Sequence, residues 1–515
     1  METKMLQEAI EHRDMKRALQ IFNRLRPEIA SVSPQDPNAA ILTDCAARLL
    51  ERDPSIVALV EALISKWEPQ SRRGHSVLDA AHLEIAEGVI ALQVKENVSD
   101  AKRHISFATG LADRIDDAEL ISFSRYLLAK CLVSDGHYRD ALAVIEAGKG
   151  FARQRGHPRI VVLFEILEAT VCFYQGRLAE AKKALKRMEG KIRPQKDAIE
   201  TGEAFFLGAR IARQEEQFDL AIEKFDLVLR ACEGAEGGVT HPLILQCYAY
   251  KAHTLLLLAK KLEGQRKPDR QYDLKTAAEK VAMWRNDAHH CLNEAENFHK
   301  ALPSTQLRGV ARMYWVRAEW YLHMVQLENA RKEAKKAYEI ADKTNDRNIM
   351  IHALITEGKA TDVPSLQEAK AALTLAEETD NRRLIITARI WMAATLLKNV
   401  PKNVTAAQHY FTEAQAIVLD SDQDYLRWEL NDLEEEIKGA RSEEETICDV
   451  TNLTVQESGL EKTLQLVERE IISKWFRTYN HNINQTAAAL GTTRSRVRRV
   501  LKRIGFLSKG ALNPG

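Results

Sequence analysis

The sequence predicts an all-α protein: an α-solenoid of about 40-residue helical hairpins, followed by a small C-terminal helix-turn-helix domain. Three observations favour this class. Glycine and proline, which the turns between strands require, number only 23 and 13 of 515 residues. An alanine returns at regular intervals through most of the chain, and the C-terminal residues are basic and patterned as short helices. A repeat array with one added domain also accounts for a chain too long for a single core.

The repeat is visible in short segments that share one alanine. Ala101, Ala141, Ala181 and Ala221 are each 40 residues apart. The series continues at slightly shorter steps with Ala330, Ala369 and Ala407. Such a fixed period is the sequence signature of a stacked repeat architecture.

The period is interrupted in two places. The long gap after Ala221 predicts one further unit, marked by Ala288, and an insertion near residues 259–286 that contains the loop GQRKPDRQY. At the N-terminal end, Ala62 is the predicted marker of a degenerate unit, and Met15–Leu25 (MKRALQIFNRL) predicts another. The whole repeat domain is predicted to cover residues 1–435.

The two helices and two turns of one repeat unit explain the spacing of about 40 residues. Residues 119–134 place apolar side chains at helical intervals, Asp135-Gly136 reads as a turn, and a second helix is predicted from Tyr138 to Arg153. Gly156-His157-Pro158 ends it, because proline cannot continue a helix. A single hairpin cannot bury its apolar side, whereas stacked hairpins share a continuous core.

These units resemble tetratricopeptide repeats, and the resemblance covers approximately residues 10–435. It rests on a turn of the form [Gly/Gln]-x-[Tyr/Phe/Leu]-x-x-Ala, whereas the family's Trp-Leu-Gly part is absent. The first residue of this turn is assigned to Gly136, Gly176, Gln217 and Gln326. The resemblance implies a superhelix (TPR-like) whose concave face binds a protein segment or a small effector. Other helical-hairpin solenoids are the alternative.

Targeting and membrane signals are absent from the sequence. The most apolar stretch, Leu255–Ala259, is far shorter than the roughly 18 residues that span a bilayer. The first 17 residues are rich in charge and form no signal-peptide core. Seven cysteines without a C-x-x-C pair favour a reducing compartment. We therefore expect a cytoplasmic, bacterial-type, nucleoid-associated protein with no membrane partner.

The sequence also gives no sign of enzymatic chemistry. It contains no G-x-x-x-x-G-K-[ST], no H-E-x-x-H and no G-x-S-x-G segment. His289, His290, Cys291 and His299 lack metal-ligand spacing. We expect no catalytic residues, no metal and no cofactor.

Charge is distributed unevenly along the chain. The formal net charge is +1, yet residues 471–515 hold nine Lys and Arg and no Asp or Glu, which leaves −8 for residues 1–470. Six of the nine cations fall within Arg494–Arg503, a footprint typical of a surface that binds a polyanion. A solvated basic helix is the alternative. The acidic stretch before this end predicts a linker over residues 436–453, followed by a DNA-binding domain at residues 454–510.

Three helices are predicted in the C-terminal domain. An amphipathic helix covers Leu460–Tyr479, and a short helix begins after Asn482, which suits the N-cap position. Gly491 permits a tight turn into a third helix, Arg494–Ile504. Two helices joined in this way, the second of them basic, form a helix-turn-helix pattern.

The segment NINQTAAALGTTRSRVRRVLKRIGF closely resembles the Fis-type helix-turn-helix, which also ends the enhancer-binding activators of the alternative sigma factor. The departures from its pattern are Asn484, Thr486, Thr492 and Val500, while Arg496 adds a cation. Residues that match as they stand are Asn482, Ala487, Leu490, Gly491, Arg494, Leu501, Lys502 and Gly505. The activators' ATPase has no counterpart here, so ATP-driven promoter opening is not expected.

The resemblance implies that the third helix lies in the major groove of double-stranded DNA. Arg494 is expected to read a base edge, because an Arg–guanine pair is the commonest specific contact. Further expected contacts, to bases or phosphates, come from Asn482, Ser495, Arg496, Arg498, Arg499 and Lys502. Fis-type modules form dimers through the preceding helix. The candidate dimer interface is Leu464, Val467, Ile471 and Trp475, although Trp475 is equally suited to the domain's own core.

Together these features predict a sequence-specific transcription regulator, whose repeat body binds a protein or peptide effector and whose C-terminal domain binds DNA as a homodimer. Two alternatives remain. One is a tetratricopeptide-type interaction scaffold or adaptor that is recruited to DNA. The other is an architectural DNA-binding protein without an effector.

Overall fold

The computed structural model describes residues 2–11, 14–51, 53–67, 76–189, 198–233, 242–264, 271–301, 307–399, 402–419, 426–479, 482–504 and 506. All regular secondary structure in these ranges is helical, as predicted. The chain divides into two compact units, Met1–Leu433 and Glu434–Gly515.

The first unit is an array of helices that pack in sequence order. Its N-terminal helices are α1 (Glu2–Glu11), α2 (Met15–Ser31), α3 (Ala39–Arg48) and α4 (Val57–Ser65). The hairpins that follow are α5 (Val77–Gln93) with α6 (Val98–Ile115), α7 (Ala118–Asp135) with α8 (Tyr138–Gln154), α9 (Pro158–Tyr174) with α10 (Leu178–Glu189), α11 (Ala198–Gln214) with α12 (Phe218–Glu233), α13 (Pro242–Gly264) with α14 (Gln271–Ala301), α15 (Leu307–His323) with α16 (Leu327–Lys343), α17 (Arg347–Lys359) with α18 (Leu366–Glu377), and α19 (Arg382–Lys398) with α20 (Val404–Leu419). The predicted α-solenoid of helical hairpins is confirmed.

The repeated alanines are core residues of the second helix in each hairpin. The side chains are fully buried at Ala101, Ala141, Ala181, Ala221, Ala288, Ala330, Ala369 and Ala407. Because alanine is small, the two helices of a hairpin approach closely at this point, and this close packing explains the periodic residue. Ala62, by contrast, lies exposed on α4 while Val60 and Leu63 are buried, so it was the wrong marker for an early unit.

A left-handed backbone residue recurs five positions before the alanine. Gly136 and Gly176 occupy this position as predicted, with φ of 83° and 78°. The equivalent residues in other hairpins are Glu216 and Val325, both with φ of 57°. The predicted turn residues Gln217 and Gln326 lie one position too late, because only glycine marks a left-handed turn in a sequence.

The predicted insertion takes the form of lengthened helices. Helix α13 has 23 residues and α14 has 31, where most other helices of the hairpins have 12 to 18. The two pack against each other along the hairpin. Of the predicted loop GQRKPDRQY, residues 265–270 lie outside the described residues.

The first helices of successive hairpins form the inner layer of the solenoid. In the series α5, α7, α9, α11, α13, α15, α17 and α19, each helix contacts its neighbours in the series as well as its own hairpin partner. The side chains that these helices turn away from their partners therefore face a common interior surface.

Contacts between distant repeats close this interior surface. The backbone N–H of Asp380 donates to the Gly136 carbonyl at 3.3 Å, and the N–H of Arg308 donates to Glu96 Oε2 at 2.8 Å. The side chains of Tyr138 and Asn348 are also hydrogen-bonded. These pairs are more than 200 residues apart in the sequence, so the superhelix makes a turn that returns onto itself.

The second unit consists of most of one long helix and two short helices. Helix α21 covers Leu426–Thr478, so its first residues belong to the first unit, and α22 (Ile483–Ala489) and α23 (Arg494–Arg503) follow it. The segment 436–453, predicted to be a linker, is thus part of a continuous helix. Its glutamates and lysine are good helix formers, and Lys438 pairs with Glu434 and Glu435 at 3.1 Å and 3.0 Å. Such a polar helix needs no apolar stripe to be helical.

Candidate functional site

A small apolar core holds the C-terminal helices together. Ile472 and Phe476 of α21 pack against Ala487 of α22 and against three residues of α23. These three, Val497, Val500 and Leu501, are buried. One side of α23 is therefore fixed against the other two helices, and its other side faces solvent.

Side-chain caps set where both short helices begin. Asn482 Oδ1 accepts from the backbone N–H groups of Asn484 and Gln485 at 2.9 Å and 3.1 Å. Thr493 Oγ1 accepts from the N–H of Arg496 at 3.3 Å, and Gly491 makes the turn between the helices with φ of 55°. The predicted N-cap and glycine turn are both present in this geometry.

The residues predicted to contact DNA lie on the solvent side of this three-helix arrangement. All of them are exposed: Asn482, Arg494, Ser495, Arg496, Arg498, Arg499 and Lys502. Ser495 Oγ is 3.1 Å from Thr493 Oγ1, which fixes its orientation at the start of α23. Cations thus dominate the exposed surface of α23.

Arg496 differs from the other cations because it has an acidic partner. Its Nε donates to Glu468 Oε1 at 2.5 Å, which ties the start of α23 to α21. Sequence reasoning offered Arg496 for DNA contact and did not foresee this pair. For Arg496 to reach a phosphate or a base, it must first give up its contact with Glu468.

The candidate dimer stripe lies partly outside the described side chains. The side chains of Leu464 and Val467 are not described, while Ile471 is 40% exposed. Trp475 is partly buried and stacks on Tyr479 with ring centroids 5.8 Å apart. The domain's core uses Ile472 and Phe476 instead. Trp475 is therefore outside the buried core, and the dimer remains a prediction.

The inner face of the repeat body holds a second candidate site, which sequence reasoning did not find. One cavity of about 330 Å³ extends from Leu50 to Arg308, and its lining includes Phe206. Another, of about 450 Å³, has a lining that includes Lys260 and Glu319. A narrow pocket of about 20 Å³ shares Arg210 with the first and Arg383 with the second.

Arginine and aromatic side chains surround this narrow pocket. The guanidinium carbons of Arg312, Arg213 and Arg210 lie 4.6 Å, 4.9 Å and 5.1 Å from the ring centre of Tyr250. All three arginines are at least nine-tenths buried. A sequence signal existed, because Arg210 and Tyr250, like Arg213 and His253, are one 40-residue period apart. Their shared position within the repeat places them on the same inner face.

Histidines near the cluster are held neutral. Burial, together with the charges of Arg213 and Arg383, lowers the pKa of His253 well below its usual value. His352 stacks on Trp315 at 4.4 Å, and burial and the nearby arginines likewise lower its pKa. The neutral imidazoles add no positive charge to the cluster near pH 7.

One of the histidines considered as metal ligands has another contact. His289 stacks on Trp320, with ring centroids 4.5 Å apart. Elsewhere the structure brings Glu84 and Glu87 to His104, whose Nδ1 lies 2.7 Å and 2.9 Å from their carboxylates. Sequence reasoning missed this group, because its members come from two helices. Hydrogen bonding between these side chains accounts for the arrangement.

No family model and no curated protein matches this chain. Solved structures with a similar arrangement include human IFIT1, solved as a dimer with m7Gppp-AAAA, at 13% identity and a TM-score of 0.46 over 83% of this chain and 86% of IFIT1. Yeast Tom70 has 13% identity and a TM-score of 0.35 over 88% of this chain and 89% of its own. Likenesses at these scores assign no function to this chain. Within the described residues, no helix is both long and apolar enough to cross a bilayer.

Proposed function

We propose that this protein is a non-enzymatic, sequence-specific DNA-binding regulator whose repeat body binds an effector. One observation carries the proposal: α23 buries its apolar side and turns Arg494, Arg498, Arg499 and Lys502 to solvent. A helix of this kind has its cations placed to contact a duplex, since phosphates supply affinity and base edges supply specificity. A homodimer formed through α21 would place two such helices on an inverted-repeat site.

Capping supports the same reading. The caps of Asn482 and Thr493 fix the residues at which α22 and α23 begin. Arg494 follows Thr493 directly, so its side chain leaves from the first turn of the helix. In helix-turn-helix proteins that end of the helix contacts base edges.

Substitution of two arginines on α23 separates the roles proposed for them. Arg494→Ala should lower affinity for the specific site by about 1–3 kcal/mol and relax its preference at one base pair. Arg499→Ala should weaken binding to all duplexes alike and reduce the salt dependence by about one charge. Selection from random duplexes, followed by fluorescence anisotropy at several salt concentrations, measures both effects.

An exposed arginine of the repeat body provides the control. Arg230→Ala, on the outer helix α12, should leave both DNA affinity and site preference unchanged. The base-reading role of Arg494 is wrong if its alanine variant selects the same sequences as the parent chain. A chain shortened to residues 1–440 should lose DNA binding, and retained affinity would place the nucleic-acid surface on the repeats instead.

A second candidate function is an interaction scaffold that DNA binding only localises. The closed inner face of the repeat body, with cavities of about 330 Å³ and 450 Å³, favours this reading because such a surface suits ligand capture whatever the C-terminal helices do. A shift in DNA affinity when the body's ligand is bound supports the regulator. An unchanged affinity supports the scaffold.

A further inference from the structure

We propose that the arginine cluster on the inner face of the repeat body binds the phosphate group of a small organic phosphate. The site is built from Arg210 and Arg312, with Arg213 and Arg383, around Tyr250. This inference goes beyond the proposed DNA binding and does not depend on it, because every residue of the site belongs to the repeat body.

The cluster draws on the inner helices of six successive hairpins. Arg210 and Arg213 come from α11, Tyr250 from α13, Arg312 from α15 and Arg383 from α19. Helix α9 contributes Tyr174, and α17 contributes His352. Helices far apart in the sequence meet here because the superhelix returns onto itself. The site therefore exists only in the folded repeat array.

Four arginines line the narrow pocket: Arg210, Arg213, Arg312 and Arg383. None of the described residues that line the narrow pocket is Asp or Glu. Arg210 is 6% exposed and Arg312 is 9% exposed, and the Nε–H of each is buried without a hydrogen-bond partner. Burying a guanidinium in this state is costly unless an anion compensates it. The tyrosine faces stabilise the cations only in part.

The shape of the pocket indicates which part of a ligand enters it. A volume of about 20 Å³ admits one or two water-sized groups, so one or two of the phosphate's oxygens would enter it and the rest of the phosphate group would lie at its mouth. Trp315, His352 and Arg383 also line the 450 Å³ cavity next to it. The organic part of the ligand would lie in this larger cavity. A phosphate dianion suits a site with several guanidinium groups better than a carboxylate, because it carries more charge and more acceptor oxygens.

Tyr250 makes binding depend on pH. Burial acts to raise its pKa, but the charges of Arg210, Arg312 and Arg213 outweigh burial and lower the pKa to about 8. Other titratable or charged groups that face it are Tyr174 of α9, His253 of α13, His352 of α17 and Arg383 of α19. Above pH 8 the phenolate of Tyr250 would pair with the arginine guanidinium groups and repel an anionic ligand. Below about pH 6 a phosphate monoester loses its second charge. Affinity should therefore be highest between these two values.

Calorimetric titration of the full-length protein with phenyl phosphate at low salt and pH 7 tests the site. We expect saturable binding, with weaker binding of inorganic phosphate, which lacks the organic part. Arg312→Gln should weaken phenyl phosphate binding about tenfold or more. Arg230→Gln, which removes an exposed arginine from α12, should leave it unchanged.

Thermal unfolding without ligand separates lost binding from lost folding. Arg312→Gln removes a buried charge from a cationic cluster, so its Tm should equal or exceed that of the parent chain. Tyr250→Phe should have nearly the same affinity for phenyl phosphate at pH 7 and at pH 9, whereas the affinity of the parent should fall between these two values. Parallel loss of affinity in both proteins at pH 9 would contradict the role of Tyr250.

Three results would overturn the proposal. They are the absence of saturable binding by either phosphate, equal affinity of Arg312→Gln and the parent chain, and binding of benzoate as tight as that of phenyl phosphate. DNA binding gives an independent readout. Arg494→Ala should bind phenyl phosphate normally, so failure of one proposal leaves the other standing.

Discussion

At the scale of single residues, the left-handed turns of the repeat include residues whose backbone conformation the sequence does not predict. The turn position of the repeat holds glycine in two hairpins, yet Glu216 and Val325 adopt the same conformation. A β-branched residue is strained there, because its side chain crowds the backbone. Val325 is also 79% exposed, so little packing offsets the strain. The repeat geometry therefore imposes the turn on a residue that disfavours it.

Replacement of this valine by glycine should stabilise the protein. We expect Val325→Gly to raise the free energy of unfolding by about 1 kcal/mol, since glycine adopts positive φ without steric cost. Urea denaturation followed by circular dichroism measures the change. Val363→Gly provides the control, because Val363 is also exposed but has no positive φ. A loss of stability at Val325 equal to that at Val363 would show that the turn is not strained.

At the scale of elements, sequence patterning predicted the hairpins better than it predicted α21. The apolar spacing and the turn at Gly136 predict the ends of α7 and α8 to within one residue. The acidic stretch within α21 has no apolar stripe, so periodicity had no signal there, although its residues are good helix formers. The capped α22 and α23 were predicted because local signals, Asn482 and Gly491, mark their ends.

Gly439 offers a test of α21 as a continuous helix. A Cβ at this position would meet no atom within 4 Å, so Gly439→Ala should increase helix stability by about 0.5–1 kcal/mol. Gly148→Ala, in α8, is the matched comparison, because its Cβ would lie 2.3 Å from the Phe164 ring and should destabilise the body. Chemical denaturation monitored by circular dichroism measures both. No gain at Gly439 would argue against a helix at that position.

At the scale of the whole repeat body, the arginine cluster shows why the inner site could not be predicted from the sequence. Its members are spread from Arg210 to Arg383, and their proximity depends on how far the superhelix turns with each hairpin. The 40-residue relation between Arg210 and Tyr250 places both on the inner face. It carries no information about Arg312 or Arg383, which follow the irregular insertion.

Closure of the superhelix depends on a buried carboxylate. Glu96 is 8% exposed and accepts the backbone N–H of Arg308. Glu96→Gln removes the charge from this hydrogen bond and should lower the free energy of unfolding by about 1–3 kcal/mol. Glu339→Gln, on the exposed side of α16, should have little effect. Equal values for the two variants, measured by urea denaturation, would show that this contact contributes nothing to closure.

The return of the superhelix onto itself also governs how fast a ligand on its axis exchanges. An intact seam between Gly136 and Asp380 blocks passage between these two turns, so among the described residues a ligand's route to the axis runs along the length of the superhelix. A molecule larger than that passage must wait for the seam to open. The residence time of the ligand then depends on how often the seam opens, and not on the affinity alone. Variants that loosen the seam should accelerate association and dissociation together and leave the dissociation constant nearly unchanged.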